Sequence, residues 1–206
     1  MKKVNNLQSQ GMHPGSHSCA KKSGLAVRQC TIALCAVLNV VGAFLAMNLR
    51  LPIYMDSLGT VMCSALLGPI YGAATGVVGS LISGITFDVY SLYFAPVQIF
   101  TGVMAGLMFR SVWLKKSRLP IGAFFVSLPT SIASALITAL IFGGITSAGS
   151  SYIVQIMTKL GVSLTVSCFS VQVLTDYGDK LVAILMTTAV LKVMPGDLLG
   201  KIRGYH

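Results

Sequence analysis

Long apolar segments constrain this chain more than any other feature of its sequence. Six segments are apolar over most of their length, and they lie at about residues 28–49, 57–69, 70–87, 94–110, 119–144 and 179–195. A hydrocarbon core about 30 Å thick requires roughly 20 apolar residues in each helix that crosses it. The chain is 54% hydrophobic and only 10% charged, unlike a typical soluble domain. The sequence therefore predicts an all-α, polytopic membrane protein with six transmembrane helices.

The distribution of charge predicts the orientation of these helices. The net charge is +10, but the basic residues form short clusters beside the apolar segments instead of a face that would bind nucleic acid. With the amino terminus inside and six spans, only Arg50, Lys159 and Lys180 among the 15 Lys and Arg residues lie on the outer side. Cytoplasmic loops of membrane proteins carry an excess of Lys and Arg. We therefore predict that both termini are cytoplasmic.

The two ends of the chain are more polar than its centre. We predict three parts, namely a disordered cytoplasmic tail at 1–24, a six-helix membrane domain at 25–197 and a cytoplasmic C-terminal tail at 198–206. His13, His17 and Cys19 in the first tail could bind a metal. A flexible segment rich in Gly and Ser does not pre-organise ligands, however, so we expect no metal site.

The segment between the fifth and sixth apolar segments, residues 145–178, is ambiguous. Its apolar residues are mixed with Ser, Thr, Gln and Lys159, so it could form a seventh span, a re-entrant piece or an interfacial helix. A seventh span would move the C-terminal cations to the outer side, against the positive-inside rule. Irregular backbone at membrane depth requires protein or water to satisfy its polar groups. We expect a partly embedded helix and loop here.

Small residues crowd the third and fourth apolar segments. They include Gly72, Gly76 and Gly79 in the third segment, and Gly102 and Gly106 in the fourth. Small residues allow helix backbones to approach closely in lipid, where packing drives helix association. We predict an internal seam along these two helices.

The chain has only five acidic residues, and four of them fall at the predicted outer ends of helices or in outer loops: Asp56, Asp88, Asp176 and Asp179. Structural roles are available, since Asp56 and Asp179 occupy positions where a helix N-cap is expected, and tyrosines are common at membrane interfaces. Polar and aromatic residues that converge at one membrane face are also what a small-molecule site requires. The segment LRLPIYMDSLGT at residues 49–60, which contains Asp56, is therefore either a turn or part of a site.

Two longer motifs resemble a known family. YMDSLGTVMCSALLGPIYGAATGVVGSLISGI at 54–85, followed by YFAPVQIFTGVMAGLMFR at 93–110, resembles the substrate-binding (S) components of energy-coupling factor (ECF) transporters. FGGITSAG at 142–149 and DYGDK at 176–180 are similar to the end of that family's fifth span and the start of its sixth. The resemblance covers roughly residues 28–195.

The resemblance implies a function in transport. Members of the family are six-helix proteins of the prokaryotic plasma membrane that capture a vitamin or a related small heteroaromatic compound on the outer side. They associate with a transmembrane coupling protein and two cytoplasmic ATPases to form an ABC importer. The resemblance therefore implies a binding protein without enzymatic activity or a cofactor. The absence of a GxxxxGK[ST] motif agrees with ATPases that are separate chains.

The resemblance also implies which residues bind. In the family the ligand lies between the outer halves of helices four to six and is covered by the first and third loops. Transferred by position, this predicts the following ligand-binding residues: Arg50, Tyr54, Asp56, Asp88, Tyr90, Tyr93, Gln98, Thr101, Thr146, Gln172, Asp176, Tyr177, Asp179 and Lys180. The excess of acids over bases favours a neutral or cationic ligand over a phosphorylated one. The family's small-residue face on the first helix predicts contacts with the coupling protein through Ala33, Ala36, Val37, Gly42, Ala43 and Ala46, although the strict AxxxA motif is absent.

Two other functions are open. A stand-alone secondary carrier would normally need an ionisable residue near the membrane centre, and the predicted mid-span positions carry only Asn39 and Gln98. An intramembrane enzyme that acts on a diphosphate would need paired acids for a metal. DYGD at 176–179 is formally such a pair, but no basic cluster accompanies it on the same predicted face.

Overall fold

The described part of the chain consists of helices joined by short loops. The computed structural model describes residues 15–111 and 118–203, with side chains described from residue 25 onward. Within these ranges lie nine helices and no strand: α1 (Gly15–Asn48), α2 (Leu58–Leu67), α3 (Pro69–Thr86), α4 (Tyr90–Tyr93), α5 (Ala95–Arg110), α6 (Leu119–Leu140), α7 (Ser150–Lys159), α8 (Leu164–Val193) and α9 (Gly196–Arg203). The prediction of an all-α chain is confirmed.

Several of these helices are suited to a membrane. Leu25–Asn48 within α1, together with α3 and α6, are long and apolar enough to cross one. A fourth span results if α8 and α9, which meet at an angle of 115°, are taken as one bent unit. The helix α2 is apolar but shorter. The chain therefore has three or four candidate membrane spans by length and composition, and the six-span arrangement stays a prediction.

Five of the six predicted apolar segments coincide with α1, α2, α3, α5 and α6. The turn between α2 and α3 shows why the boundary was readable. Gly68 has φ 108, a conformation that favours glycine, and Pro69 follows at the first position of α3. The Gly-Pro pair thus ends one helix and begins the next within a single step of the chain.

The sixth predicted segment was wrong at its start. We expected a helix from residue 179, but α8 begins at Leu164 and passes through Asp176 and Asp179 without a break. Residues 145–178 are therefore a loop, the helix α7, a short turn at Gly161 and the first half of α8. Two polar side chains in the first half of α8 bind hydroxyl groups of α6: Gln172 donates to Thr138 at 2.9 Å, and Asp176 accepts from Ser134 at 2.6 Å.

The ends of the chain also differ from the predicted tails. The helix α1 begins at Gly15, inside the segment that we predicted to be disordered, and α9 occupies most of the predicted C-terminal tail. Residues 1–14, including His13, lie outside the described residues, as do 112–117 and 204–206.

The helix α2 lies near the centre of the bundle, in contact with α1, α3, α5 and α8. The main core is built mostly of small and β-branched side chains that are fully buried: Val61, Ala105, Ala123, Val126, Ala183 and Ile184. Between α3 and α5, a Cβ on Gly102 would overlap the backbone of Ala73, and one on Gly106 would lie 2.6 Å from the Cα of Pro69. The predicted seam between these helices is confirmed.

The small residues of α1 serve the interior as well. Ala36, Gly42, Ala43 and Ala46 are buried; a Cβ on Gly42 would overlap the carbonyl of Met55 in the α1–α2 loop. These four residues are therefore not on the surface of the chain, and we withdraw them from the predicted contact with a coupling protein. Ala33 and Val37, the other two residues of that prediction, are exposed.

Candidate functional site

A polar cavity lies at the end of the bundle where α1 joins α2. Its volume is about 60 Å³. The lining residues come from the α1–α2 loop, the segment before α4, the helices α5, α6 and α8, and the α6–α7 connection: Pro52, Tyr54, Asp56, Asp88, Phe94, Val97, Gln98, Ser134, Thr146, Ser147, Ala148, Ser150, Gln172, Thr175, Asp176, Asp179 and Lys180. Four of the chain's five acidic residues are among them.

Lys180 is surrounded by carboxylates. Its Nζ lies 2.9 Å from Oδ2 of Asp179, and both side chains are almost completely buried. Asp56 and Asp176 also interact electrostatically with Lys180. Three carboxylates around one ammonium group give the cavity an excess of negative charge, which favours a cation or a neutral hydrogen-bond donor over an anion.

Asp179 also fixes the α1–α2 loop. Its Oδ1 accepts a hydrogen bond from the backbone N–H of Met55 at 3.1 Å, and its Oδ2 accepts one from Oγ of Ser57 at 2.5 Å. Met55 has φ 53, a conformation that is sparsely populated for residues other than glycine. The loop therefore adopts an unfavourable backbone conformation that a buried carboxylate of α8 stabilises. Asp179 is not an N-cap, contrary to our expectation, because it lies in the interior of α8.

Asp56 extends into the cavity beside Gln98 and is not the cap of α2. The first N–H groups of α2 are bound instead by α1, since Oδ1 of Asn39 accepts from Gly59 at 2.7 Å and from Thr60 at 3.2 Å. The N-cap expectation for Asp56 was therefore wrong. Burial raises the pKa of Asp56 to about 6, and the positive charge of Lys180 opposes this rise.

A buried hydrogen-bond chain lies directly beneath Asp56. Nδ2 of Asn39 donates to Oγ1 of Thr60 at 2.8 Å, and that hydroxyl donates to Oε1 of Gln98 at 2.9 Å. Because the carbonyl of Gln98 is occupied in this way, its amide group is left to donate toward the cavity, where it lies 3.4 Å from the backbone carbonyl of Asp56. The chain therefore fixes the orientation of the Gln98 amide.

Asp88 holds the opposite wall together. Its Oδ2 accepts hydrogen bonds from the phenol of Tyr54 and from Ser91 and Ser147, the last two at 2.9 Å. These donors come from the α1–α2 loop, from α4 and from the α6–α7 connection. Burial, followed by the hydrogen bond to Asp88, raises the pKa of Tyr54. Asp88 thus joins three segments, and Tyr54 stays a neutral donor near neutral pH.

The structure brings together nine of the fourteen residues that we predicted to bind a ligand: Tyr54, Asp56, Asp88, Gln98, Thr146, Gln172, Asp176, Asp179 and Lys180. The other five do not line the cavity. Arg50 lies at the surface, where its guanidinium donates to the hydroxyl of Tyr152 at 2.8 Å. Thr101 is fully buried and donates to the carbonyl of Val97 at 2.9 Å.

Three predicted tyrosines are also absent from the cavity wall. Tyr90 and Tyr93 pack edge-on against Phe142, with ring centroids 4.8 and 5.2 Å away. Tyr177 lies beside Phe124 at 6.4 Å. These rings pack on one another or on the core, so the aromatic lining of the cavity comes from Tyr54 and from Phe94, which we had not predicted.

Sequence reasoning also missed the hydroxyl groups of α6 and of the α6–α7 connection. Ser134 donates to Oδ2 of Asp176 at 2.6 Å. A signal was present, because the hydroxyl residues of α6 recur three or four positions apart and so share one helix face: Ser127, Thr130, Ser131, Ser134 and Thr138. A polar stripe on an otherwise apolar helix predicts the side that faces a polar interior.

The arrangement can bind and orient a small polar molecule. Carboxylate acceptors, the ammonium group of Lys180 and the amide of Gln98 surround the cavity, and Phe94 and Val97 add apolar surface. A few fixed polar groups with apolar walls are typical of small-molecule sites. Comparisons of the chain with protein-family models, with curated proteins and with solved structures give no match.

Proposed function

We propose that this chain is the substrate-binding component of an ECF-type importer, which captures a small heteroaromatic compound of the vitamin type and performs no chemistry on it. The observation that carries this proposal is the polar cavity. Four of the chain's five acidic residues and Lys180 converge there from segments far apart in the sequence. The motifs at 54–85 and 93–110 support the same reading, since their polar residues Tyr54, Asp56 and Gln98 line the cavity.

The charge of the cavity supports a neutral or cationic ligand. Asp56, Asp176 and Asp179 surround a single ammonium group. A phosphorylated compound would meet net repulsion there, whereas ring N–H or amino groups would find acceptors. The amide of Gln98 supplies a donor for a ring carbonyl or nitrogen. We therefore propose a heterocycle with at least one amino or N–H group.

The proposed arrangement in the membrane has six crossings with both termini in the cytoplasm of a prokaryote. The helix α8, with 30 residues, is about 45 Å long, which exceeds a hydrocarbon core of about 30 Å. Its first turns would then project beyond the outer surface together with α7, and the cavity would lie in the outer half of the bundle. A ligand would approach from the outside, past the α1–α2 loop.

Binding requires the cavity to enlarge. Its volume of about 60 Å³ is well below the roughly 300–1,000 Å³ of typical ligand sites. The segment best placed to move is the α1–α2 loop, because Pro52 and Tyr54 line the cavity and side-chain hydrogen bonds to Asp88 and Asp179 help to hold the loop in place. We propose that the ligand enters when the hydrogen bonds from this loop to Asp88 and Asp179 break and the carboxylates bind the ligand instead.

The proposed partners are a transmembrane coupling protein and two cytoplasmic ATPases. The exposed apolar face of α1 offers them a surface, and it includes Leu34, Val37, Val41 and Leu45. This face replaces the small-residue surface that the sequence predicted, since most of those small residues are buried.

An ion-coupled carrier is the second candidate, and one observation favours it. Asp176, Asp179 and Lys180 lie in the interior of the long helix α8 and not at its end. Ionisable groups within a membrane-spanning helix mark ion or proton pathways in many carriers. The two candidates differ in their source of energy.

Affinity purification of the full chain from its native membrane separates these candidates. The importer proposal expects recovery of a membrane-embedded coupling protein and two ATPases, and uptake into vesicles that requires ATP and all of these chains. Uptake by the chain alone, driven by a proton or sodium gradient without ATP, would establish the carrier instead.

A further inference from the structure

A second cavity lies at the opposite end of the same helices. Its volume is about 340 Å³, and it is bounded by the first part of the apolar region of α1, the end of α2, the start of α3, the end of α5 and the end of α9. The polar cavity touches α5 at its other end, near Phe94 and Gln98. The two cavities are therefore separated by the length of the bundle.

Three guanidinium groups from three different helices line this second cavity. They belong to Arg28 of α1, Arg110 of α5 and Arg203 of α9. Nε and Nη2 of Arg28 each lie 3.0 Å from a carbonyl oxygen at the end of α9, those of Ile202 and Arg203. Nη2 of Arg203 donates to the carbonyl of Ala65 at 3.3 Å. Two of the three positive groups are thus fixed in place by backbone carbonyls.

The guanidinium group of Arg110 lies beside Gly68, a residue without a side chain. A Cβ built on Gly68 would be 2.7 Å from Nη2 of Arg110, so the absent side chain leaves room for the guanidinium group at the α2–α3 turn. Among the residues that the structure describes, Arg110 has no hydrogen-bond acceptor. Next to it begins α3, whose first N–H groups lack partners within the helix and carry the positive end of its dipole.

The arginines of this cavity form no ion pair with a residue that the structure describes. None of the described lining residues is acidic: four of the five aspartates line the other cavity, and the fifth, Asp197, lies in the first turn of α9 without lining this one. Each guanidinium carries five N–H donors, and the three arginines use only three donors in hydrogen bonds with described residues. The remaining donors and the full charge are available to an anion.

We propose that this cavity binds a phosphate group, either the headgroup of an anionic phospholipid or a soluble phosphate compound. Arginine matches phosphate oxygens with paired N–H groups, and basic pockets between membrane helices bind lipid headgroups. The volume accommodates a headgroup, and Ile70, next to Tyr71 of the cavity wall, is 78% exposed and offers apolar surface for an acyl chain. In the six-span arrangement proposed above, this cavity faces the cytoplasmic leaflet.

The test uses the full chain in two settings. Lipid nanodiscs of phosphatidylcholine, with and without phosphatidylglycerol, probe the lipid source, and neutral detergent with and without inorganic phosphate probes the soluble source. For each probe we would measure its dissociation constant from the chain and the shift of Tm that it causes. Native mass spectrometry of the unmodified chain would detect retained lipid. Arg110→Gln is the informative variant because it removes charge without removing a hydrogen bond within the described chain, and Arg118→Gln is the control.

We expect one phosphatidylglycerol to be retained in preference to phosphatidylcholine, and its affinity to fall about tenfold in Arg110→Gln but not in Arg118→Gln. If inorganic phosphate in detergent shows this pattern and phosphatidylglycerol does not, the source of the phosphate group is soluble. Equal binding by both variants, or no response of the unmodified chain to either probe, would overturn the proposal.

Discussion

The two cavities lie at opposite ends of the same helices, and they treat charge in opposite ways. In the polar cavity, Lys180 faces three carboxylates, and Asp179 and Asp88 use their oxygens to hold the α1–α2 loop. In the second cavity, backbone carbonyls hold Arg28 and Arg203, and no acidic residue of the described chain lines the wall. The first cavity has a volume of about 60 Å³ and its polar groups bind one another, whereas the second has a volume of about 340 Å³.

Because of this difference, the two cavities have different requirements for binding a molecule. A ligand of the polar cavity has to replace internal hydrogen bonds, so its binding is coupled to movement of the α1–α2 loop. An anion at the other end would bind arginine donors that no described residue uses. Substitutions at the polar end should therefore change the stability of the fold, whereas Arg110→Gln should change anion binding and leave stability nearly unaltered.

The largest effect is expected from Asp179→Ala. This change removes the only carboxylate that lies within 4 Å of the buried ammonium group of Lys180 in the described chain, and it leaves the backbone N–H of Met55 and the hydroxyl of Ser57 without their acceptor. Removal of one partner from a buried pair typically costs about 3–5 kcal/mol of unfolding free energy. Thermal and denaturant unfolding in detergent would measure it, with Asp197→Ala as the control. Equal stability of the two variants would show that the polar cavity is not held together by this pair.

A smaller loss is expected from Asn39→Ala. The variant removes Oδ1 of Asn39, which accepts from the first N–H groups of α2, and Nδ2, which donates to the hydroxyl of Thr60. Both hydrogen bonds are buried. A lost cap and a lost buried hydrogen bond to the Thr60 hydroxyl, which still donates to Gln98, together cost about 2 kcal/mol. Asn48→Ala provides a matched control, because Asn48 is exposed and makes only one hydrogen bond, to Phe44 of its own helix. If both variants unfold at the same Tm, the buried chain beneath Asp56 does not stabilise the fold.

Tyr54→Phe should cost about 1 kcal/mol, since Asp88 keeps its hydrogen bonds from Ser91 and Ser147 when the phenol is lost. Tyr93→Phe is the comparison variant, because Tyr93 is largely exposed and contacts Phe142 through its ring. We expect a measurable decrease in unfolding free energy for the first change and almost none for the second. A larger loss in Tyr93→Phe than in Tyr54→Phe would show that the hydrogen bond from Tyr54 to Asp88 does not stabilise the α1–α2 loop.

The last effect is a dependence of the unfolding free energy on pH, confined to a narrow pH range. Because the pKa of Asp56 in the fold is about 6 and its ordinary value is 3.8, the folded chain retains a proton between these values that the unfolded chain releases. The contribution of Asp56 to unfolding free energy therefore falls as the pH rises from about 4 to about 6, and is constant above that range. In Asp56→Asn the unfolding free energy should lack this decrease between about pH 4 and pH 6. Identical pH profiles of variant and parent would contradict the burial of this carboxyl group.

Local sequence chemistry was sufficient for much of the fold. The boundary between the second and third apolar segments, at Gly68-Pro69, and the seam formed by the glycines of α3 and α5 follow from steric rules that a single segment displays, and both agree with the structure. The course of α8 was not readable, because Asp176 interrupts the apolar pattern, and the partners that favour its position are the charge of Lys180 and the hydroxyl of Ser134 on another helix. Polar groups within a membrane helix require partners that the sequence does not place.

The same limit applies to the candidate site. The acids were found because acids are rare in this chain, and every one predicted for the site lines the cavity. The tyrosines were misjudged because an aromatic ring near a membrane surface is equally suited to pack on Phe142 or to face a ligand. Asn39 was noted only as a polar mid-span residue, and its role as a cap depends on the approach of α1 to α2.

The most direct test of the central claim is whether the polar cavity holds a small molecule. The full chain, Asp56→Asn and Asp197→Asn would be purified from the native membrane and released small molecules identified by mass spectrometry. We predict that one heteroaromatic compound, neutral or cationic, accompanies the parent chain and Asp197→Asn, and that its affinity for Asp56→Asn is at least tenfold weaker while the variant remains folded. Equal affinity of all three proteins for that compound, or a preference for a phosphorylated compound, would contradict the assignment of this cavity as the ligand site.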